Sequence, residues 1–558
     1  MTIKLFEPLL LKLQKKLAGW KSNILSFGGK IILLKHVLSS MPIHVLSVMN
    51  LPKGVFKAIK SIFSNFLWNS IDDKRKRKWV SWKNICLPVE EGGLGIRNLH
   101  DVQRSLFMKF AWKLLEGNSV WAKFFLRKYV GDKHPMALNN STGSRFWKGI
   151  LSVMPIVQQN SCILIKSGAC NFWFDNWLGD GAIANTEEIS EDENLLVADI
   201  LNSSGWDAVK LHLLVSEEMV EKIRDSSVHI SGGSDVRIWK PNSDGTFSTK
   251  SAWHLIRETG TICLWKKWLW HSLVKKKMSF VCWRAKKHVL PVDDIISKLG
   301  IPLASKCHCC VLPQQESIDH IFCSGELAAM VWRYFAGILG VRLPNLQNWT
   351  VVMNVWWLRA SESSQVSCCR GILPIIITWA LWRARCEHRM EGKFIHWKGV
   401  VRRIKLMLID IFSPHRKFDR LHANDITVLQ ELNCPFSHVR KKSMTAIAWI
   451  KPSRGQYKLN VDGSSLRNPG LAGGGGVIRD HDGQVLAGFA IHYGQVSNNV
   501  AEGRALLDGL RLAQQLDIRD ILVESDSEVI VKWIQAGKCS LWYLWDFWDD
   551  IQNLFANL

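Results

Sequence analysis

Between residues 457 and 534 the apolar residues change their period from two to 3.6 and back, with one acidic residue after the first strand-like segment, one opening the helix-like segment and one ending the next strand-like segment. Lys458 to Val461 alternates polar and apolar, and Gly474 to Ile478 and Val485 to Ile491 read as two further strands. The Asp480-His481-Asp482-Gly483 cluster between the latter two has hairpin-turn chemistry. From Val500 onward the apolar residues fall at Leu506, Leu510, Ala513 and Leu516, with Leu507 beside them, which makes one helix. Ile521 to Val523 is a short apolar run, and a second helix starts at Ser527. Three antiparallel strands, a helix, a strand and a helix specify a mixed sheet with helices packed on it. Asp462 follows the first strand, Glu502 lies in the first turn of the helix and Asp526 ends the last strand, 40 and 24 positions apart.

Tyr457-Lys-Leu-Asn-Val-Asp462-Gly463-Ser464, then Ala501-Glu502, then Leu522-Val-Glu-Ser-Asp526 resembles the type-1 ribonuclease H family. The resemblance implies that Asp462, Glu502 and Asp526 are catalytic ligands of two Mg2+ ions. Cutting a phosphodiester with two such ions about 3.5–4 Å apart needs a cluster of hard carboxylates on rigid elements. Asn498 and Asn499, just before the Glu502 helix, stand where that family carries amides that contact the hybrid; a loop amide or helix cap reads equally well. The family's fourth carboxylate, in a His-x-x-Arg-x-x-Asn-x-x-Ala-Asp-like segment, has no counterpart after Asp526. The expectation is therefore a domain incomplete at its C-terminus. Asp546, Asp549 and Asp550 lie in an aromatic, amphipathic stretch and read as surface carboxylates.

A second constellation is Cys307-His308-Cys309-Cys310 followed by His320-Ile-Phe-Cys323. Cys307, Cys310, His320 and Cys323 give Cys-x2-Cys-x9-His-x2-Cys, two close pairs that can close a tetrahedral, structural Zn2+ site. Cys309 or His308 can stand in for a neighbour. With Gly245-Thr-Phe-Ser-Thr-Lys-Ser-Ala-Trp253 upstream, Phe280-Val-Cys-Trp-Arg284 between and Glu316-Ser317 close by, these residues resemble the zinc-binding domain of plant non-LTR (LINE-type) retrotransposon reverse transcriptases. In that family it follows the polymerase and precedes ribonuclease H, and Leu13 to Lys21, Leu25 to Lys30 and Gly92 to Ile96 fit the piece just after the polymerase palm. No Tyr/Phe-x-Asp-Asp strand-turn occurs, since the one such string, Phe547-Trp-Asp-Asp550, lies in the aromatic, amphipathic stretch that reads as helix, so no polymerase activity is expected.

The formal net charge is +23, and residues 444 to 558 hold 10 basic against 13 acidic residues, which leaves an excess of 26 positive charges on residues 1 to 443. Such a balance implies a nucleic-acid partner held with salt-sensitive affinity. Lys74-Arg75-Lys76-Arg77-Lys78 reads as a solvated basic loop, a phosphate-contacting patch or a nuclear localisation signal, and a nuclear location is expected over a cytoplasmic one. No signal peptide opens the chain, and the apolar run Ile372 to Trp382 is 11 residues, short of the roughly 20 that span a bilayer. No membrane and no small-molecule cofactor are expected. Fourteen scattered cysteines suit a reducing compartment. The 28 tryptophans, at helical spacing among Leu and Ile, read as core rather than as stacking platforms.

The expected organisation is multidomain. Residues 1–135 form a helical post-palm or thumb remnant, 136–246 a mixed connecting region with strand-like runs such as Asn171-Phe-Trp-Phe, 247–345 the zinc-binding domain, 346–443 a helical linker and 444–558 an α/β ribonuclease H-like domain. Two functions stay open: metal-dependent endonucleolytic hydrolysis of RNA in RNA/DNA hybrids, or a nucleic-acid-binding remnant without catalysis.

Overall fold

The computed structural model of the chain describes residues 3–19, 25–68, 77–138, 143–189, 192–202, 205–226, 233–312, 314–412, 417–439 and 448–557. Lys74 to Lys76 of the basic run and residues 440–443 of the polar connector lie outside them. A mainly helical N-terminal and zinc-binding part precedes an α/β part with a mixed sheet. By packing, the chain divides into two compact units, Met1–Gln103 with Arg257–Met444 and Arg104–Ile256 with Thr445–Leu558.

The first unit is built on the helix Gln365–Glu391, against which Lys276–Lys286, Glu326–Leu339, Trp349–Leu358 and Trp397–Ile411 pack. Ser364 caps its N-terminus by accepting the Ser367 N–H, and Gly392 ends it in the left-handed region at φ +65°. Pro374 sits inside it, and the Thr378 hydroxyl donates to the Pro374 carbonyl at 2.8 Å while accepting the Trp349 indole N–H at 3.1 Å. The apolar run at 372–382 thus belongs to a helix of 27 residues, long and apolar enough to cross a bilayer, as is the helical stretch Phe27–Val48. Most of Gln365–Glu391 is buried in the core of this unit, where its apolar face meets protein. Trp283, Trp332, Trp349 and Trp356 are wholly buried here, and Trp147, Trp173 and Trp239 are wholly buried in the second unit.

In the second unit, Asn171 to Phe174 is a turn rather than a strand. The Asn171 Oδ1 accepts the N–H groups of Trp173 and Phe174 at 3.0 and 2.8 Å, a local bond that competes with strand pairing. The α/β part has strands β1 (Tyr457–Ser465), β2 (Gly470–Arg479), β3 (Val485–Val496) and β4 (Ile521–Ser525), with helices α1 (Asn498–Gln515), α2 (Glu528–Ala536) and α3 (Trp545–Asn557). The sheet order is β4-β1-β2-β3, with β4 parallel to β1 and the other pairs antiparallel. Leu459, Val461 and Ile478 on one sheet face bury against Leu506, Leu510 and Ala513 of α1, and Trp548, Ile551 and Leu554 of α3 close the same core. Asp549 pairs with Lys166 at 2.9 Å and Asp550 with Arg511 at 2.8 Å, so both are engaged at the surface.

Candidate active site and metal centre

Because side chains alternate along a strand, packing Leu459 and Val461 on α1 turns Lys458, Asn460, Asp462 and Ser464 to the other face of β1. Parallel pairing sets Glu524 of β4 beside Asn460 and Ser525 beside Val461, and Asp526 and Asp462 are the next residues of the two chains. The third carboxylate comes from α1, and Gly463 permits its approach. A Cβ on Gly463 would lie 2.4 Å from both the Ala501 carbonyl carbon and the Glu502 nitrogen, so only glycine lets β1 pass the start of the helix this closely. The Gly463 N–H then donates to the Glu502 carboxylate at 3.2 Å. The result is a cluster in which Asp462, Glu502 and Asp526 each offer an oxygen within 4.8 Å of the others.

The three are not equivalent. Asp462 and Asp526 are exposed, whereas Glu502 is 5% exposed. Its carboxyl is pushed up to about 7, first by burial and then by the charge of Asp462, with a smaller contribution from Asp526, against the opposing Gly463 hydrogen bond. Three hard oxygen donors of mixed exposure, one protonated near neutrality when alone, suit a small divalent cation that neutralises the mutual repulsion.

A groove of about 510 Å³ runs from the cluster over Asn460, Asp462, Ser464 and the Gly473-Gly474-Gly475-Gly476 run of β2 to Arg479. Gly475 pairs with Asp462 and Gly473 with Ser464, so the floor beside the carboxylates is bare backbone. The groove's lining residues Asn460 and Arg479 belong to a polar row missed by sequence reasoning, which continues through Lys458 and Glu524. Lys458, 1% exposed, donates to the Ile450 carbonyl and to Glu524 at 2.7 Å; Asn460 donates to Glu524 at 3.0 Å and accepts from Arg479 at 2.9 Å. The ammonium of Lys458 holds the Glu524 carboxyl below the usual range. The signal was the polar half of the same alternation that gave the strand. Asn498 accepts the Ser465 N–H on its Oδ1 at 3.1 Å and donates its own backbone N–H to the Asn468 Oδ1 at 2.8 Å; Asn499 follows it at the start of α1.

At the second centre, Cys307, Cys310 and His320 each offer a donor atom within 4.8 Å of the others. The Sγ atoms of Cys307 and Cys310 are 3.8 Å apart, and Cys310 Sγ lies 3.3 Å from His320 Nε2. A tetrahedral ion with Zn–S of about 2.3 Å and Zn–N of about 2.0–2.1 Å requires edges of about 3.8 Å between sulfurs and about 3.5 Å between sulfur and nitrogen, so this donor set fits zinc. The Cys309 N–H donates to Cys307 Sγ at 3.4 Å. In the metal-free thiols, hydrogen bonding from the Cys309 side chain pushes Cys307 up to about 11, and hydrogen bonding with Cys307 pushes Cys310 up to about 12. Cys323 is not brought to this group. It is wholly buried on the π-helical turn His320–Ser324 and lies outside the converging donors.

Comparison with known proteins agrees with the order of these two centres. Residues 247–332 match the family described as zinc-binding in reverse transcriptase, and residues 460–558 match the family described as reverse transcriptase-like. A protein of Arabidopsis thaliana provisionally named a ribonuclease H protein is 26% identical over 553 residues, covering 95% of this chain and 85% of that one. Ribonuclease HI of Halobacterium salinarum is 35% identical over 86 residues, 15% of this chain and 43% of that one. Among solved structures, ribonuclease H1 of the same archaeon matches at 28% identity over 19% of this chain and 80% of that one, with a TM-score of 0.18.

Proposed function

We propose that this chain, which carries a reverse-transcriptase zinc-binding region followed by a ribonuclease H-like domain of retrotransposon type, hydrolyses the RNA strand of RNA/DNA hybrids at Asp462, Glu502 and Asp526. The observation that carries the reading is the convergence of three carboxylates from β1, α1 and the end of β4 within 4.8 Å at the mouth of an open groove. Bound there, Mg2+ supplies an activated water and stabilises the leaving 3′-oxygen.

The chain's own residues prepare the site. Asp462 projects from within β1 and Asp526 follows the last residue of β4, so the sheet fixes where both stand. Glu502 is oriented by the Gly463 N–H and stands ready to lose its proton when a cation arrives. The glycine floor lets a nucleic-acid backbone approach β2 without meeting side chains. Arg479, held by Asn460, is the cation at the groove's far end, suited to a phosphate. The excess of positive charge over residues 1–443 supports a nucleic-acid partner for the whole chain, and the cysteine and histidine cluster supports Zn2+ as a second, structural ion.

The test is cleavage of a labelled RNA/DNA hybrid by the purified chain in Mg2+ and in Mn2+, with Asp462→Asn as control. Cleavage by the parent that the variant loses supports the site; cleavage at the parental rate by the variant removes it. Hybrid bound but left intact by the parent makes the chain a binding protein.

A further inference from the structure

The zinc reading of the second centre assumes four protein ligands, and the side chains supply three. The geometry points to a zinc ion held by Cys307, Cys310 and His320 alone, with its fourth position open toward Gly325 and filled by an exchangeable water or another small donor. This rests on the proposal that the centre binds zinc and departs from the closed, four-ligand site that the sequence spacing implied.

Three observations carry it. First, Cys323, the fourth ligand by spacing, lies outside the group of converging donors and is buried elsewhere on its turn. Second, the corner it would have filled is occupied by no side chain. A Cβ built on Gly325 falls 3.4 Å from Cys310 Sγ and 3.2 Å from His320 Nε2, close to the tetrahedral edges worked out above, so the missing donor belongs in the space before Gly325. Gly325 is also the residue at which the π-helical turn closes, its N–H donating to the His320 carbonyl at 2.8 Å, and a Cβ there would sit 2.6 Å from that carbonyl oxygen. Glycine is therefore fixed by the backbone, and with it the vacancy. Third, Cys307, Cys309, Cys310, His320 and Gly325, together with the apolar Ile321, Leu327, Ala328 and Leu381, line a cavity of about 10 Å³, room for about one water on the metal and no large ligand.

Cys309 is the remaining thiol at the cavity. Its backbone N–H is directed at Cys307 Sγ, and its sulfur is outside the converging set. Three protein ligands plus a water is the coordination of zinc sites with a reactive or exchangeable position rather than of purely structural ones.

The test is zinc K-edge X-ray absorption on the full chain, with Cys323→Ala, Cys309→Ala and Cys310→Ala alongside. The inference expects two sulfur and two nitrogen or oxygen neighbours in the parent, the same shell in Cys323→Ala and Cys309→Ala, and one sulfur fewer in Cys310→Ala. A three-sulfur shell in the parent overturns it, and the variant that drops to two sulfurs identifies the ligand missed. If Cys323→Ala does not fold, the parent's sulfur count still decides. A chain that takes up no zinc ends the zinc reading itself, a result distinct from either count.

Discussion

Glu502 makes the carboxylate cluster a measurable burden on the metal-free fold. Its carboxyl is pushed up to about 7, against 4.5 for the free side chain, and it is 5% exposed, so little solvent screens the effect. A group whose proton affinity is higher folded than unfolded adds stability below its unfolded pKa, and that stability is lost as pH rises through the folded value. The window therefore runs from about 4.5 to about 7. At about 1.4 kcal/mol for each tenfold change in proton affinity, the full swing is at most about 3.5 kcal/mol, or roughly a 300-fold change in the opening equilibrium. Glu502→Gln removes the titration. Hydrogen exchange at the α1 amides from Ala505 to Ala513, parent against variant without metal, reads this directly. At pH 8 the parent's amides should exchange up to roughly 300-fold faster than the variant's, the two should converge near pH 4.5, and Mg2+ should slow the parent selectively at pH 8. Equal protection at pH 8 would show that Asp462 and burial do not press on Glu502, and the cluster geometry would lose its energetic basis.

Three more perturbations have defined outcomes. Gly463→Ala places a methyl 2.4 Å from the backbone at Ala501 and Glu502, so thermal unfolding should show a loss of about 1–3 kcal/mol and calorimetry a weaker Mg2+ association; an unchanged melting curve would contradict the close approach. Glu316 is wholly buried and bonds Arg385 at 2.6 and 3.1 Å and Arg389 at 3.1 Å, so Glu316→Ala should cost about 3–5 kcal/mol in chemical denaturation by stranding a buried guanidinium. Because the Cys307 and Cys310 thiols are protonated near neutrality without metal, zinc uptake should release two protons, and the apparent affinity, read by chelator competition from pH 7 to 8, should rise about 100-fold.

The α/β part was legible because its signals are local. The alternation over Lys458 to Val461, the Asp480 to Gly483 turn and the 3.6 period through Leu506, Leu510 and Ala513 each fix one element, and the elements appear at those places. The carboxylates were legible because each adjoins a short patterned run, although β1 continues past Asp462 to Ser465 and so holds that residue inside the strand rather than after it. What packs across elements was not. The bond from Lys458 to Glu524 joins residues 66 positions apart, and nothing in either neighbourhood announces it. Asn171 to Phe174 looked like a strand because it is aromatic, yet one side-chain amide makes it a turn. Cys323 shows the same limit at a metal centre: spacing counts residues, whereas a π-helical turn sets where the last one points.

The bare floor of the groove bears on which positions along a strand would be cut. Gly473 to Gly476 present no donor or acceptor beyond the main chain, whose polar atoms are already committed to the pairing of β2 with its neighbours. A surface of that kind responds to the width and path of a duplex and is indifferent to the order of its bases. Under the proposed activity, cuts would then fall wherever the duplex is presented, and the choice of place would pass from the hydrolytic domain to whatever carries the duplex to it.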